Sequence, residues 1–349
     1  MRILVIRPGA LGDVLLTLPA LQALSSAFPQ AAIELMGNLS VLDWLPGRSV
    51  VRSVSSFDRA DLAALFRPEA EPAASVQAYL DSFDLILSYA TAPEHAFARN
   101  LSRLARGRVL TLDARPEHVS MHMSAYLQQP LRELGIAPGT DYPALHLTPA
   151  DRQAAASWWS EHHLPDRGVA AIHPGSGSPA KNWPAERFAA LAGHLQREQG
   201  AHILLLAGPA DDAALDGVRR AVSGAALPPR GQAPLALQNL PLPLLAAILS
   251  RCQLYVGNDS GVSHLAAAVG VPTVAIFGPT DPGVWAPRGP AVRIVRAPVP
   301  CAPCPPPQRQ SCPQRACLDS VPVQTLLEAV ATLADHPVRP MRGERRMGP

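Results

Sequence analysis

Short apolar runs that stop at glycine or proline alternate along this chain with stretches whose apolar positions recur every three or four residues. Residues 2–7 (RILVIR) form the first run, which breaks at Pro8-Gly9-Ala10-Leu11-Gly12-Asp13; Val14, Leu15, Leu18, Leu21 and Leu24 then follow at helical spacing. Further strands are predicted at 32–36, 50–55, 84–89 and 109–112, with helices near 74–83 and 94–105 between them. This alternation predicts a parallel sheet covered by helices on both faces, with a ligand crevice at the carboxyl ends of the strands. Residues 137–150 (APGTDYPALHLTPA) lose periodicity and hold three prolines, which marks a hinge between a domain of 1–150 and one of 151–335. The second half repeats the scheme: a helix near 151–163, strands at 169–172 and 202–207, a helix opening at Pro184, and a closing helix over 321–333. Residues 336–349 contain four Arg, three Pro and no apolar pattern, the composition of a disordered tail.

The most informative stretch is 253–280, QLYVGNDSGVSHLAAAVGVPTVAIFGPT. A strand (Leu254 to Val256) enters Gly257-Asn258-Asp259-Ser260-Gly261, a helix runs through Ala268, Gly270 ends it, and a second strand covers Thr273 to Phe277. Gly261 permits close approach of a ligand to the backbone, and the free N–H groups at the helix start favour an anion such as phosphate. Asp259 or Ser260 could instead simply cap a core helix.

Length and composition narrow the function. A chain of 349 residues, 48% hydrophobic, has material for two cores. A net charge of +2 argues against nucleic acid as the main partner. The apolar N-terminus is interrupted by Arg7, Pro8, Asp13 and Pro19, so it resembles neither a membrane span nor a cleavable signal, and a cytoplasmic location is expected. There the five cysteines should be thiols or metal ligands. Cys301, Cys304, Cys312 and Cys317, spaced C-x2-C-x7-C-x4-C in a proline-rich loop, are compatible with a small structural zinc knot, although none of the expected chemistry needs a metal.

Among the 30 basic residues, Lys181 is the one lysine. It lies in the loop that follows Gly175, Ser176, Gly177 and Ser178, where a compact ammonium could reach a phosphate at the neighbouring helix start. The strand ending at Ala207 leads to Asp211 and Asp212, which could hold ribose hydroxyls or cap the next helix. In the first half, Gly9 and Gly12 do not make the G-x-G-x-x-G dinucleotide fingerprint. Arg99, Arg103 and Arg106 are spaced to share a helix face, either solvated or turned to an anionic acceptor. His118 and His122 stand one helical turn apart, as polar contacts facing the crevice or as a plain helix surface.

The run DSGVSHLAAAVGVPTVAIFGPTDP, Asp259 to Pro282, resembles glycosyltransferase family 9, the lipopolysaccharide heptosyltransferases. Two further stretches resemble it in the expected order: RILVIRPGALGDVLLTLPAL (Arg2 to Leu21) and HPGSGSPAKNWPAERFAAL (His173 to Leu191). The resemblance implies a GT-B fold, an α/β architecture of two Rossmann-like, doubly wound parallel-sheet domains facing each other across a cleft, the first for the acceptor and the second for the nucleotide sugar. It implies ADP-L-glycero-β-D-manno-heptose as donor and the lipopolysaccharide inner core, Kdo on lipid A or an earlier heptose, as acceptor, with peripheral contact at the inner membrane. Inverting displacement without a divalent cation or cofactor follows from the same likeness. Asp13 would then be the base, and Lys181 with the helix N-terminus would hold the departing diphosphate. Ser176, Asp211, Asp259, Ser260, Gly261, His264 and Thr280 would complete the donor site, with Gly12, Arg99, His118 and His122 on the acceptor side. Three alternatives stand beside this reading: another nucleotide sugar or glycan, a non-catalytic nucleotide-sugar binder, and an oxidoreductase. The missing dinucleotide fingerprint opposes the oxidoreductase, and Asp13 together with Lys181 opposes the binder.

Overall fold

The computed structural model describes residues 1–69, 71–114, 116, 119–140, 142–223 and 233–334. The tail expected over 336–349 lies outside the described residues. The chain divides into two compact units, one of Met1–Arg152 with Gly283–Trp285, the other of Gln153–Pro282 with the residues from Ala286 on.

The first unit is built on five parallel strands: β1 (Arg2–Ile6), β2 (Ala32–Gly37), β3 (Ser53–Ser56), β4 (Leu85–Ser88) and β5 (Arg108–Thr111), in the order β3-β2-β1-β4-β5. Ile3, Leu4, Val5 and Ile6 are all at most 1% exposed, so β1 shows no polar alternation, as expected of a strand covered on both faces. Register pairs Ile3 with Ile33 on one side and with Leu85 on the other. Leu4, Ile6, Met36, Leu80, Phe83, Ile86, Phe97 and Leu101 form one core cluster. The strand expected over 50–55 begins later, because its ladder to β2 starts at Glu34 and Ser53. Val51 is buried ahead of that ladder.

The second unit holds β6 (Val169–His173), β7 (His202–Ala207), β8 (Leu235–Gln238), β9 (Leu254–Asn258), β10 (Thr273–Ile276) and β11 (Val292–Val295). They are all parallel, in the order β11-β10-β9-β6-β7-β8. The closing helix Val323–Ala334 lies on this sheet's core through Leu326, Val330 and Leu333. Each unit is thus an α/β domain with a doubly wound parallel sheet, the type of domain from which a GT-B fold is built. The winding reverses between β1 and β4 in the first sheet and between β6 and β9 in the second. Loops leaving the carboxyl ends of adjacent strands diverge at such points and open a crevice.

Candidate active site

Gly9, Gly12 and Asp13 sit just past the carboxyl end of β1, at that reversal. The helix Leu11–Leu15 starts after Ala10, so Asp13 occupies its third position and not the cap itself. Asp13 Oδ2 accepts the Ala10 N–H at 3.0 Å, and Oδ1 accepts Arg7 Nη2 at 3.2 Å. Arg7 is 1% exposed; its Nε donates to Thr17 Oγ1 at 3.1 Å, and Thr17 donates to the Asp13 carbonyl at 2.8 Å. The carboxylate, 17% exposed, is therefore oriented by Arg7 and the Ala10 N–H. Gly9 makes room for it: a Cβ there would lie 2.8 Å from Asp13 Oδ2.

In the second unit Lys181 belongs to a three-residue 3-10 turn, Pro179–Lys181, ahead of the helix Ala185–Gln199. Its Nζ donates to Asp259 Oδ2 at 3.0 Å, and Thr280 Oγ1 donates to the same oxygen at 2.7 Å. Asp259 thus spends one oxygen within the protein. Ser260 caps the helix Gly261–Ala268, its side chain accepting from the Ser263 N–H at 3.4 Å. His264 is buried one turn further along. Lys181, Asp259, Ser260, Gly261 and Thr280 consequently converge at the crevice end of β9. An ammonium and the positive end of a helix beside one carboxylate form an anion site with an internal counterion.

Three site residues escaped the sequence reading. Asn258, fully buried at the end of β9, donates to the Pro174 carbonyl at 2.8 Å and accepts the Trp183 N–H at 3.0 Å, so it clamps both ends of the Lys181 loop. His173 ends β6 and bridges Asp211 and Ser260, with Nε2 2.9 Å from Asp211 Oδ2 and Nδ1 3.3 Å from Ser260 Oγ. Arg7 is the third. A charged residue ending an apolar strand was the available signal for Arg7, and the histidine and asparagine ending β6 and β9 carried the same kind of signal.

Other expected residues are engaged elsewhere. Asp211 accepts from His173 and, at 2.8 Å, from the Gly208 N–H, so its carboxylate is turned inward. Burial opposes its ionisation, but the bonds from His173, Gly208 and Ser176 outweigh burial and hold its pKa below the ordinary value. Ser176 is buried, and its Oγ lies 2.6 Å from both the Ser178 carbonyl and Asn182 Oδ1, bonds internal to the loop. Arg99 is exposed and donates to the Glu94 carbonyl. The shared basic face is shorter than expected, because the helix Ala96–Leu104 ends before Arg106, which pairs with Asp81. His118 lies outside the described residues. His122 is buried and caps the four-residue helix Met123–Tyr126 by accepting from the Ser124 N–H, so helical spacing from His118 does not describe it. Among the described residues no group of three or more His, Cys, Asp or Glu side chains is placed to hold a metal ion. Cys301, Cys304, Cys312 and Cys317 are free thiols, and burial and the neighbouring thiols raise Cys304 and Cys317.

Comparison with known proteins gives concordant results. The family model described as glycosyltransferase family 9 (heptosyltransferase) matches residues 77–313. Lipopolysaccharide heptosyltransferase 2 of Salmonella typhimurium is 28% identical over 316 residues, 85% of this chain and 88% of that protein. Among solved structures, a glycosyl transferase family 9 protein from Veillonella parvula superposes with a TM-score of 0.78 at 21% identity, covering 95% of this chain and 96% of the other. The Escherichia coli heptosyltransferase WaaC, solved with ADP, gives 0.65 at 21% identity, over 95% and 99% of the two chains.

Proposed function

Because the chain belongs to glycosyltransferase family 9, the heptosyltransferases, we propose that it transfers heptose from ADP-L-glycero-β-D-manno-heptose to the lipopolysaccharide inner core, at Kdo or at an earlier heptose, with inversion and without a metal ion. The observation that carries the reading is the convergence of Lys181, Asp259, Thr280 and the capped start of the helix Gly261–Ala268 at the reversal point of the second sheet. In this scheme the second unit binds the nucleotide sugar. The diphosphate lies against the first turn of that helix, with Lys181 moving from Asp259 towards it as charge builds on the leaving group. Thr280 keeps a hydrogen bond on Asp259 meanwhile, and His264 lines the pocket. Ser176 and Asp211 act from behind by shaping the loop that carries Lys181.

The first unit binds the acceptor, with Gly12, Arg99, His118 and His122 on its side of the reaction. Asp13 accepts the proton of the attacking hydroxyl while that oxygen displaces ADP from the anomeric carbon. Arg7 holds the carboxylate aimed. The chemistry is balanced by the proton on Asp13 and the negative charge carried away on ADP. Among the described residues no helix is long and apolar enough to cross a membrane, and we infer that a lipid-linked acceptor is met by peripheral contact at the cytoplasmic face of the inner membrane. Incubation with ADP-heptose and a Kdo-bearing lipid A acceptor, followed by mass spectrometry, tests the whole reading. A product heavier by one heptosyl residue is expected, and an unchanged acceptor alongside turnover of a different nucleotide sugar would replace the donor assignment.

A further inference from the structure

Three buried polar side chains from three distant segments meet beneath the start of the helix Gly261–Ala268. His173 is 2%, Asp211 6% and Ser260 8% exposed. Asp211 is ionised, since the hydrogen bonds it accepts outweigh the effect of burial. A carboxylate only accepts, so the nitrogen 2.9 Å from it, His173 Nε2, carries the hydrogen. In a neutral ring Nδ1 is then an acceptor, and its partner among the described residues is Ser260 Oγ at 3.3 Å. Ser260 has one hydrogen to give, while its lone pairs serve the Ser263 N–H. Two acceptors lie 3.3 Å from the Ser260 oxygen, His173 Nδ1 and Ser263 Oγ. Ser263 Oγ gives its own hydrogen to the Asn258 carbonyl and so already accepts that of the Tyr255 hydroxyl. This leaves His173 Nδ1 as the acceptor with no other donor among the described residues.

We propose that His173 is a positioning residue of the donor site that takes up a proton when the Ser260 hydroxyl turns to a phosphate oxygen of the nucleotide sugar. This rests on the donor reading above. With the Ser260 hydrogen given to phosphate, neutral Nδ1 would face a lone pair across 3.3 Å, an unfavourable contact in a buried place. A proton moving from solvent to Nδ1 turns that contact into a hydrogen bond. The imidazolium then lies between the Asp211 carboxylate and the arriving phosphate, two negative groups that both favour it.

The surroundings allow the added charge. Asp211 touches the ring from the start of the helix Asp212–Ser223. Asp259, next to Ser260, is compensated by Lys181. Tyr255 bonds Ser263, and burial raises its phenol well above the ordinary range, so it stays neutral. Since Asp259 already balances Lys181, a charged His173 supplies positive potential that the Lys181 pair by itself does not.

Calorimetry of the whole chain with ADP-heptose, in the absence of acceptor, tests this in two buffers of different ionisation heat. The phosphates of that probe are diesters and carry no proton near neutrality. At mildly alkaline pH, uptake of up to about one proton per donor bound is expected, with affinity falling by up to roughly tenfold per pH unit as pH rises. His173→Gln keeps an amide donor for Asp211 and an oxygen for Ser260 but cannot ionise, and its donor affinity should lose the pH dependence. Should that variant fold poorly, nitrogen spectra of the unaltered protein read the same event: one imidazole N–H on His173 before donor is added and two afterwards. Donor binding with equal heats in both buffers, a singly protonated His173 in the complex, or uptake that persists in folded His173→Gln would each overturn the proposal while leaving the donor site standing. No binding of ADP-heptose at all would overturn the donor reading and this inference together.

Discussion

Lys181 and Asp259, 78 residues apart in sequence, meet as an ion pair of 3.0 Å at the crevice end of the second sheet. The pair gives Lys181 two roles, phosphate contact and counterion. Lys181→Ala should lower turnover roughly 10²-fold or more, a few kcal/mol of lost leaving-group stabilisation. It should also lower the melting temperature, because Asp259, 9% exposed, keeps only part of its compensation. Lys181→Arg should recover most of the stability but only part of the rate, since a planar fork does not reproduce a point charge. Steady-state kinetics beside thermal melts separate the two effects, and full turnover in a folded alanine variant would remove Lys181 from the mechanism.

Asp13→Asn isolates the proposed base. Asparagine can still accept the Ala10 N–H, so the third-position bond of 3.0 Å survives. It cannot accept a proton. The variant should bind donor normally and melt lower than the parent, because buried Arg7 loses a charged partner, while turnover in the folded protein falls roughly 10²- to 10⁴-fold. Near-normal turnover would dismiss Asp13 as the base.

Gly9→Ala approaches the same carboxylate from the backbone side. A Cβ at that position would fall 2.8 Å from Asp13 Cβ and Oδ2, closer than real Cβ contacts. The side chain must move, and a shift of about 1 Å at a reacting group is enough to cost on the order of 10²-fold in rate. Donor affinity measured by calorimetry should be unchanged.

Acid stability should report Asp151 and Asp211. Arg48 Nε and Nη2 hold the two oxygens of Asp151 at 2.8 and 2.5 Å, and the His146 N–H bonds the Arg48 carbonyl at 2.8 Å, so the segment read as a hinge is anchored to the first unit. Burial opposes ionisation of Asp151, but Arg48 and Thr148 prevail and its pKa is depressed. A depressed carboxylate contributes stability that is complete above the unfolded-state value of about 3.9 and is lost as pH falls through the folded-state value. Melting temperature should therefore drop below about pH 4, and Asp151→Asn should reduce that drop. At neutral pH the same substitution should cost about 3 kcal/mol by leaving Arg48 without its counterion. A pH profile identical to the parent's would remove Asp151 as its source.

Much of the framework was legible in the chain because it is encoded locally. Four consecutive apolar residues after Arg2, ended by Arg7 and Pro8, can only be a buried strand running into a loop, and β1 is that strand. The DSGVSHLAAA run carries its own cap and helix in adjacent residues, and Ser260 caps as the local chemistry dictates. The edge strands β8 and β11 were invisible, since four residues with a partner on one side leave little periodic signal. The helical pairing of His118 with His122 also failed as a local inference, because spacing counts as a shared face only where a helix exists, and His122 precedes one.

The sequence by itself determined the alternating α/β plan, the strand-end positions of Asp13 and Asp259, and the anion-favouring start of the helix at Gly261. Only the tertiary structure decided which of those groups are spent on each other. Lys181 closes on Asp259, and His173 joins Asp211 and Ser260 across 38 and 87 residues. The reason is physical. A hydrogen bond or ion pair depends on distances of about 3 Å, and between residues so far apart those distances are set by the order and register of the strands that carry them, which no local pattern encodes.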